Sequence, residues 1–212
     1  ADGTVQENDT GLPVADSSKP VSASIFPAAG SEIGVAEWTN SPWIDVAYAA
    51  GAEKTLNTAT ILDVAAELEL LGPDGSKVTV AAAPTQPEGF KEVNKFRYAL
   101  PSGFTPQTGE YQVRFLAGTW ADNSSNTNVA RTEKIVVSAP TAVFAAPAGG
   151  GTVDRVALST DKTLSVFFKP VGGGSIDSAT ILDADPEFTL SGMAAQGIIL
   201  GAPAKSTEND YE

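Results

Sequence analysis

The sequence predicts an all-β fold in which one domain is repeated. Short apolar stretches alternate with polar residues at a period of two, and 20 glycines and 14 prolines among 212 residues favour strands and turns over helices. The third observation is a repeat, because the peptide Ala-Thr-Ile-Leu-Asp at 59–63 returns at 179–183, an offset of 120. That period is longer than a solenoid unit of about 20 to 50 residues and suits a domain with its own core. We therefore expect a tandem array.

Seven segments of the first repeat have the composition of strands. They are Val21–Phe26, Trp43–Tyr48, Glu67–Leu71, Lys77–Ala83, Phe96–Leu100, Tyr111–Phe115 and Thr132–Val137. In the second of these segments the apolar residues share one face, namely Ile44, Val46 and Tyr48. Their counterparts 120 residues later are also apolar, namely Leu164, Val166 and Phe168. A slip of one residue would exchange the two faces, so the repeat predicts the register of this strand as well. In the sixth segment, the same alternation predicts an inward face of Tyr111, Val113 and Phe115.

The repeated peptide itself is predicted to be a helical turn between two strands. Asn57 and its counterpart Asp177 precede it, and a side chain of either type can accept the free backbone N–H groups at the start of a helix. Further on, Pro73-Asp74-Gly75 predicts a reverse turn, because proline fixes φ and glycine accepts a positive φ.

The repeat also sets the predicted domain boundaries. Residues 21–139 form a complete domain, and residues 140–212 form the first part of a second one. Residues 1–20 lie in the phase of residues 121–140, so we expect the last loop and strand of a preceding repeat; the alternative is a chance match in an N-terminal arm. The second repeat has no counterpart of the last three strands, which would leave a sheet edge unpaired. We therefore expect the chain to be part of a longer protein.

Composition excludes several classes of function. Thirteen basic and 26 acidic residues give a net charge of −13, which argues against nucleic acid and anionic membrane surfaces as partners. The chain has no cysteine and no histidine, so disulfides, Cys/His zinc sites and histidine-based triads are excluded. No apolar run approaches the roughly 18 residues of a transmembrane helix, so no membrane insertion is expected. The absence of cysteine is typical of large exported bacterial proteins.

The order of these motifs resembles one family. The first strand ends in Phe26-Pro27-Ala28-Ala29-Gly30. The motifs that follow are, in order, Trp43–Tyr48, the turn at 57–61, a Leu-x-Leu strand, Tyr111–Phe115 and the loop Gly118–Asn126. This pattern resembles the bacterial Ig-like domains of S-layer proteins and of long secreted or RTX-type surface adhesins. In such domains the loop usually reads Asp-x-x-Gly-Asn, whereas Ser125 replaces the glycine in Asp122–Asn126.

The resemblance implies tandem Ig-like antiparallel β-sandwiches of about seven or eight strands each, with the second incomplete. It also implies a structural or adhesive role at the bacterial cell surface, and it identifies no ligand.

Calcium is the cofactor that the residues favour most. The ion takes six to eight oxygen ligands from carboxylates, amides and carbonyls. Two loops are rich in such groups: Asp122, Asn123 and Asn126 in one, and Asp183 with Asp185 in the other. The alternative is that these residues form turns by bonding their own backbone. A glycosidase would need two carboxyls across a cleft, and the pairs Asp183/Asp185 and Glu67/Glu69 fit solvated surfaces equally well.

We therefore expect a non-enzymatic spacer or assembly module of an extracellular adhesin stalk, S-layer or surface filament. Its expected partners are neighbouring repeats or subunits of the same protein, including head-to-tail assembly in which residues 1–20 complete a neighbour. The rival hypothesis is a carbohydrate- or protein-binding module that uses loops and exposed aromatic residues. Trp43 is its main candidate, because it lies on the strand face opposite Ile44 and Val46; packing against a loop or a neighbouring domain is the alternative.

Overall fold

The computed structural model describes residues 19–91, 94–146, 150–152, 154, 156, 159–160, 162–172, 174–191 and 198–205. These residues form mainly antiparallel β-strands, which confirms the all-β class. The chain divides into two compact units, and the division falls between Ala139 and Pro140. The predicted tail at 1–20 lies outside the described residues except for Lys19 and Pro20.

The first unit contains a three-stranded and a five-stranded sheet. Its elements are β1 (Val21–Phe26), β2 (Glu32–Gly34), helix α1 (Val35–Asn40), β3 (Trp43–Ala49), β4 (Leu68–Leu71), β5 (Lys77–Val78), β6 (Lys95–Ala99), β7 (Gly109–Phe115) and β8 (Arg131–Ser138). The smaller sheet has the strand order β1-β3-β6, and the larger has the order β2-β8-β7-β4-β5. All neighbouring strands are antiparallel except β2 and β8, which are parallel.

Both sheets contribute side chains to one hydrophobic core. The alternation of β3 and β7 places their predicted inward residues in this core, which confirms both faces. From the smaller sheet the core receives Ile44, Val46, Tyr48, Phe96 and Tyr98, and from the larger Leu68, Leu70, Tyr111, Val113, Phe115, Ile135 and Val137. Burying these side chains removes apolar surface from water, at about 25 cal/mol per Å², and this burial holds the two sheets together.

Two elements of the first unit are absent from the sequence-based prediction. The short strand β2 pairs with β8, and the six-residue helix α1 buries Trp38 completely. The Trp38 ring packs edge-on against Tyr111 at 5.0 Å and against Phe104 at 5.3 Å between centroids. A helix this short has too few residues to show a period of 3.6, so only its tertiary contacts define it.

The predicted strand at 77–83 is wrong in its length. Only Lys77 and Val78 pair with β4. Beyond them the chain turns to the free edge of β6, where the Ala81 N–H donates to the Ala99 carbonyl oxygen at 2.9 Å. Further along, the Thr85 N–H donates to the Arg97 carbonyl oxygen at 2.9 Å, and the Arg97 N–H donates to the Thr85 carbonyl oxygen at 2.8 Å. The segment after β5 therefore lies along the smaller sheet instead of extending the larger one.

The second unit contains a two-stranded antiparallel sheet of β9 (Thr141–Ala146) and β10 (Ser165–Lys169). Its register reproduces that of β1 and β3 once 120 is added to each number. Thr141 pairs with Lys169 as Val21 pairs with Ala49, and Phe144 pairs with Val166 as Ser24 pairs with Val46. The irregularity also recurs, because β1 skips one residue between Ser24 and Phe26 and β9 skips one between Phe144 and Ala146.

The repeated peptide forms the same turn in both units. A 3₁₀ helix covers Thr58–Thr60 in the first and Ser178–Thr180 in the second. The hydroxyl of Thr60 donates to the carbonyl oxygen of Asn57 at 2.8 Å, and the hydroxyl of Thr180 donates to the carbonyl oxygen of Asp177 at 2.9 Å. The predicted helical turn is therefore confirmed at both positions.

The predicted side-chain cap is confirmed at only one of these turns. The Asp177 Oδ1 atom accepts the Ala179 N–H at 3.0 Å. Asn57 makes no side-chain cap bond, so the prediction is wrong there. Its backbone N–H donates to the Ala121 carbonyl oxygen at 3.1 Å instead, so pairing with the neighbouring 121–122 segment holds this residue.

Candidate functional site

The acidic loop of the first unit is built around Asp122. This residue is only 1% exposed, and its Oδ1 accepts the backbone N–H groups of Ser124 at 2.8 Å and Asn126 at 3.0 Å. Its Oδ2 accepts the Asn126 side-chain amide at 2.9 Å. These hydrogen bonds lower the pKa of Asp122 below its ordinary value because they favour the carboxylate form, and the bond from the Asn126 side chain has the largest effect. Asp122 therefore organises its own loop, and both of its oxygens already have donors.

The other two candidate ligands of this loop have different partners. Asn123 is exposed, and its Oδ1 accepts the Thr55 N–H at 3.4 Å, whereas the Asn126 amide donates to Asp122. Ser125 has a φ of 63°, the left-handed conformation that glycine adopts at least cost. This is the position at which the similar loops carry glycine. The structure thus brings Asp122 and Asn126 together, and the Asn123 side chain bonds to Thr55 instead.

The acidic loop of the second unit forms a local turn. The Asp183 Oδ1 accepts the Asp185 N–H at 2.8 Å, and both side chains are exposed. Asp63, the counterpart of Asp183, accepts the Ala65 N–H at 2.7 Å in the same way. Across the described residues, no group of three or more Asp, Glu, His or Cys side chains is arranged to hold a metal ion. Calcium binding at these loops stays a prediction.

Asn128 holds the chain where it enters the Asp122–Asn126 loop of the first unit. Sequence analysis did not predict this role. Its buried side chain accepts the N–H groups of Thr119 at 3.0 Å and Trp120 at 3.2 Å through Oδ1. Its amide nitrogen donates to the Leu116 carbonyl oxygen at 2.7 Å. One side chain therefore closes the turn after β7 and positions the buried Trp120 ring.

Trp43 is half-buried and packs against its neighbours rather than standing free. The Arg97 guanidinium carbon lies 4.1 Å from the Trp43 ring centroid, and the Phe26 ring centroid lies 6.1 Å away. Arg97 is itself fixed by Asp45, to which it donates two hydrogen bonds of 2.7 Å across the β3–β6 pair. A bidentate pair of this kind fixes the guanidinium over the ring. One face of Trp43 is therefore already occupied.

The most unusual group in the described residues is the buried carboxyl of Glu67. The sequence analysis allowed it a solvated strand face, but its side chain is 0% exposed. Its Oε2 accepts a hydrogen bond of 3.0 Å from the Tyr98 hydroxyl, and that hydroxyl also bonds to the Tyr48 hydroxyl. Its Oε1 has no hydrogen-bond partner among the described residues. We call Glu67, Tyr98 and Tyr48 the carboxyl–tyrosine cluster.

Burial dominates the protonation of this cluster. It raises the pKa of Glu67 from 4.5 to about 7, against the lowering effect of the Tyr98 hydrogen bond. It also raises the pKa values of Tyr48 and Tyr98, so both phenols stay neutral at ordinary pH. A group with no exposed surface offers no contact to a solute, but it can exchange a proton when the domain opens. The cluster therefore links pH to stability.

The signal that would have found Glu67 is its recurrence. Glu187 stands 120 residues later, immediately before Phe188, as Glu67 stands immediately before Leu68. A glutamate that precedes an apolar residue at the same place in both copies is an indication of a structural role for Glu67. The partner itself, Tyr98, lies 31 positions away in sequence, and only the fold brings it near.

Comparison with known proteins assigns this chain to no family. No protein-family model matches this chain, and no curated protein matches it either. Within the described residues, no helix has the length and hydropathy needed to cross a bilayer.

Proposed function

We propose that this chain is a tandem segment of Ig-like β-sandwiches from a large extracellular bacterial surface protein, where it acts as a non-enzymatic spacer and assembly module. The observation that carries the proposal is the identical register of β1–β3 and β9–β10, including the skipped residue. Two strand pairs with the same irregularity at an offset of 120 are best explained by duplication of one domain. Repeated domains are the usual way to build length.

The connection between the units supports a spacer. β8 ends at Ser138 and β9 begins at Thr141, so only Ala139 and Pro140 lie between them. Such a short connection, with proline restricting φ and no glycine, has little freedom compared with a Gly/Ser-rich linker. The two sheets of the first unit share one core, which is the arrangement that an Ig-like sandwich requires.

The rival function is binding of a carbohydrate by Trp43. Stacking on a sugar needs a free ring face, and the Arg97 guanidinium covers one face of this ring. A glycan array probed with the unmodified chain and with Trp43→Ala separates the two functions. The spacer predicts no Trp43-dependent binding, and saturable binding that is lost in Trp43→Ala would favour the rival.

The spacer function predicts cooperative mechanical unfolding. When the chain is stretched from its two ends by force spectroscopy, the first unit should rupture in one event. The expected gain in contour length is about 40 nm, from roughly 3.6 Å per residue over residues 21–138. Leu70→Ala leaves the topology intact and removes part of the core, so it should lower the rupture force without changing this length. Gradual extension without a rupture would contradict a spacer that resists force.

We also propose that calcium stabilises the acidic loops, as oxygen-rich loops of extracellular domains can bind it with millimolar affinity. About 10 mM Ca²⁺ should then raise the melting temperature by about 3 to 5 °C, and chelator should reverse the change, because a ligand of the native state stabilises it by mass action. The double variant D183N/D185N removes two exposed carboxylates and reports on the second loop alone. No shift in the unmodified chain would refute calcium binding.

A further inference from the structure

The buried carboxyl of Glu67 is suited to a proton but not to a charge. The residue is 0% exposed, its Oε2 accepts the Tyr98 hydroxyl at 3.0 Å, and its Oε1 has no hydrogen-bond partner among the described residues. In the described part of the chain, no lysine or arginine forms an ion pair with it. A carboxylate in this position would lack both hydration and a counter-charge, so its ionised form is strongly disfavoured there.

The titratable groups that face Glu67 do not offset a charge on it. Tyr98 of β6 bonds to it directly, Tyr48 of β3 bonds to Tyr98, and both phenols stay neutral at ordinary pH. Asp63, in the loop before β4, repels a second negative charge. Directly after β7, Leu116 contributes a backbone N–H, which donates to the Glu67 carbonyl oxygen at 2.8 Å. A rise in pH therefore favours a state in which the Glu67 carboxyl reaches water.

Residues 62–66 form an exposed loop directly before this carboxyl. All five residues are exposed, and none belongs to a strand. The Leu62 N–H donates to the Thr58 carbonyl oxygen at 3.0 Å, and the Ala65 N–H donates to the Asp63 carboxylate at 2.7 Å. These bonds are local and exposed. Segments with few buried contacts and exposed hydrogen bonds open at lower cost than a core strand does.

Both ends of this loop are fixed in the first unit. Ile61 is 0% exposed, and Leu68, the first residue of β4, is 4% exposed. The Thr60 hydroxyl accepts the Ala121 N–H at 3.0 Å, which holds the turn before the loop. Between Ile61 and Leu68, Glu67 is the one buried residue. The loop is therefore attached to the core, between its fixed ends, through the Glu67 side chain.

We propose that Glu67 is a proton-controlled latch: when it loses its proton, residues 62–67 leave the core surface as one segment while the strand pairs stay in place. The ionised carboxyl reaches water, and its hydrogen bond with Tyr98 is lost. Because Glu67 precedes a strand of the larger sheet and Tyr98 belongs to the smaller one, the two sheets lose one connection. The latch does not depend on the function proposed above.

The opening of this segment should depend on pH in a defined way. The closed carboxyl has a pKa of about 7, and in the open segment its pKa returns to about 4.5. A higher pH favours the state that binds fewer protons, which is the open one. The equilibrium constant for opening should therefore rise about tenfold per pH unit between these two values, about 300-fold in total, and then level off.

Hydrogen exchange of the Leu116 amide measures this opening, because that N–H bonds to the Glu67 carbonyl oxygen. Exchange is followed by NMR on the full chain at a series of pH values and urea concentrations, and each rate is corrected for the intrinsic rate of a free amide. The opening constant should show the predicted rise with pH. Its urea dependence should be smaller than that of global unfolding, because a local opening exposes less surface.

Two variants and two contrary outcomes complete the test. Glu67→Gln should make the Leu116 opening constant independent of pH in this range, whereas Glu69→Gln keeps the latch and should leave the rise in place. If the Leu116 amide exchanged only with the urea dependence of global unfolding, the latch would be overturned. A local opening that did not vary with pH would overturn it as well. Both contrary outcomes are read from the unmodified chain, so the test does not depend on the folding of a variant.

Discussion

The free energy of unfolding of the first unit should decrease as the pH rises from 4.5 to 7, and Glu67→Gln should abolish that decrease. The folded unit holds the Glu67 proton up to a pKa of about 7, whereas the unfolded chain releases it near 4.5. Between these values the folded state binds more protons than the unfolded state, so stability falls with rising pH. The total loss is about 3 kcal/mol and levels off about one pH unit above the folded pKa.

The groups around Glu67 allow this effect to be isolated. Tyr98 and Tyr48 face it and stay neutral across the range, and Asp63 adds a small repulsion that also raises the Glu67 pKa. Glutamine keeps an acceptor for the Tyr98 hydroxyl and carries no charge. Urea denaturation at a series of pH values measures the difference between the unmodified chain and Glu67→Gln.

The matched control is Glu69→Gln, two residues away. Glu69 is partly exposed and paired with Lys77 at 2.8 Å, which lowers its pKa. Glu69→Gln should therefore leave the decrease in the free energy of unfolding between pH 4.5 and 7 unchanged. Parallel stability curves for the unmodified chain and Glu67→Gln would show that Glu67 is ionised in the folded state.

Asn128→Ala should lower the free energy of unfolding by about 2 to 4 kcal/mol. The substitution removes two acceptor bonds to backbone N–H groups and the 2.7 Å bond to the Leu116 carbonyl oxygen. Each buried group that loses its partner costs about 1 to 3 kcal/mol, partly relieved by water. Thermal or urea denaturation measures the effect.

Asn123→Ala is the control for that substitution. Asn123 lies in the Asp122–Asn126 loop and is exposed, and its side chain accepts one bond of 3.4 Å from the Thr55 N–H. Exposed substitutions of this type change stability by less than about 0.5 kcal/mol. If Asn128→Ala and Asn123→Ala were equally mild, the Asn128 side chain would not determine the loop.

Most strands of the first unit could be predicted because alternation and the repeat agreed. β1 has the predicted bounds, and β3, β6, β7 and β8 differ from prediction by one or two residues at an end. These strands have one face in the core, and burial imposes a period of two that is visible in sequence. β2 and α1 have too few residues to show a period, and the strand predicted at 77–83 ends at Val78 because the chain then crosses to the edge of β6.

The candidate site was predicted less well. The loop residues Asp122 and Asn126 do meet, but their oxygens and amides serve each other and the backbone. Turn-forming and metal-binding loops use the same residue types, so composition alone leaves the two uses open. Glu67 and Asn128 act through partners that strand pairing and loop closure bring near.

The amino-acid sequence by itself determined the β class, the inward faces of β3 and β7, and the position of the turn that occurs in both units. These features depend on local periodicity and on short-range hydrogen bonds, which neighbouring residues encode. Only the tertiary structure decided that a glutamate next to β4 is buried against a tyrosine of β6, and that the short strand β2 lies parallel to β8. Both depend on which strands come to lie side by side, and that is set by the packing of a whole core.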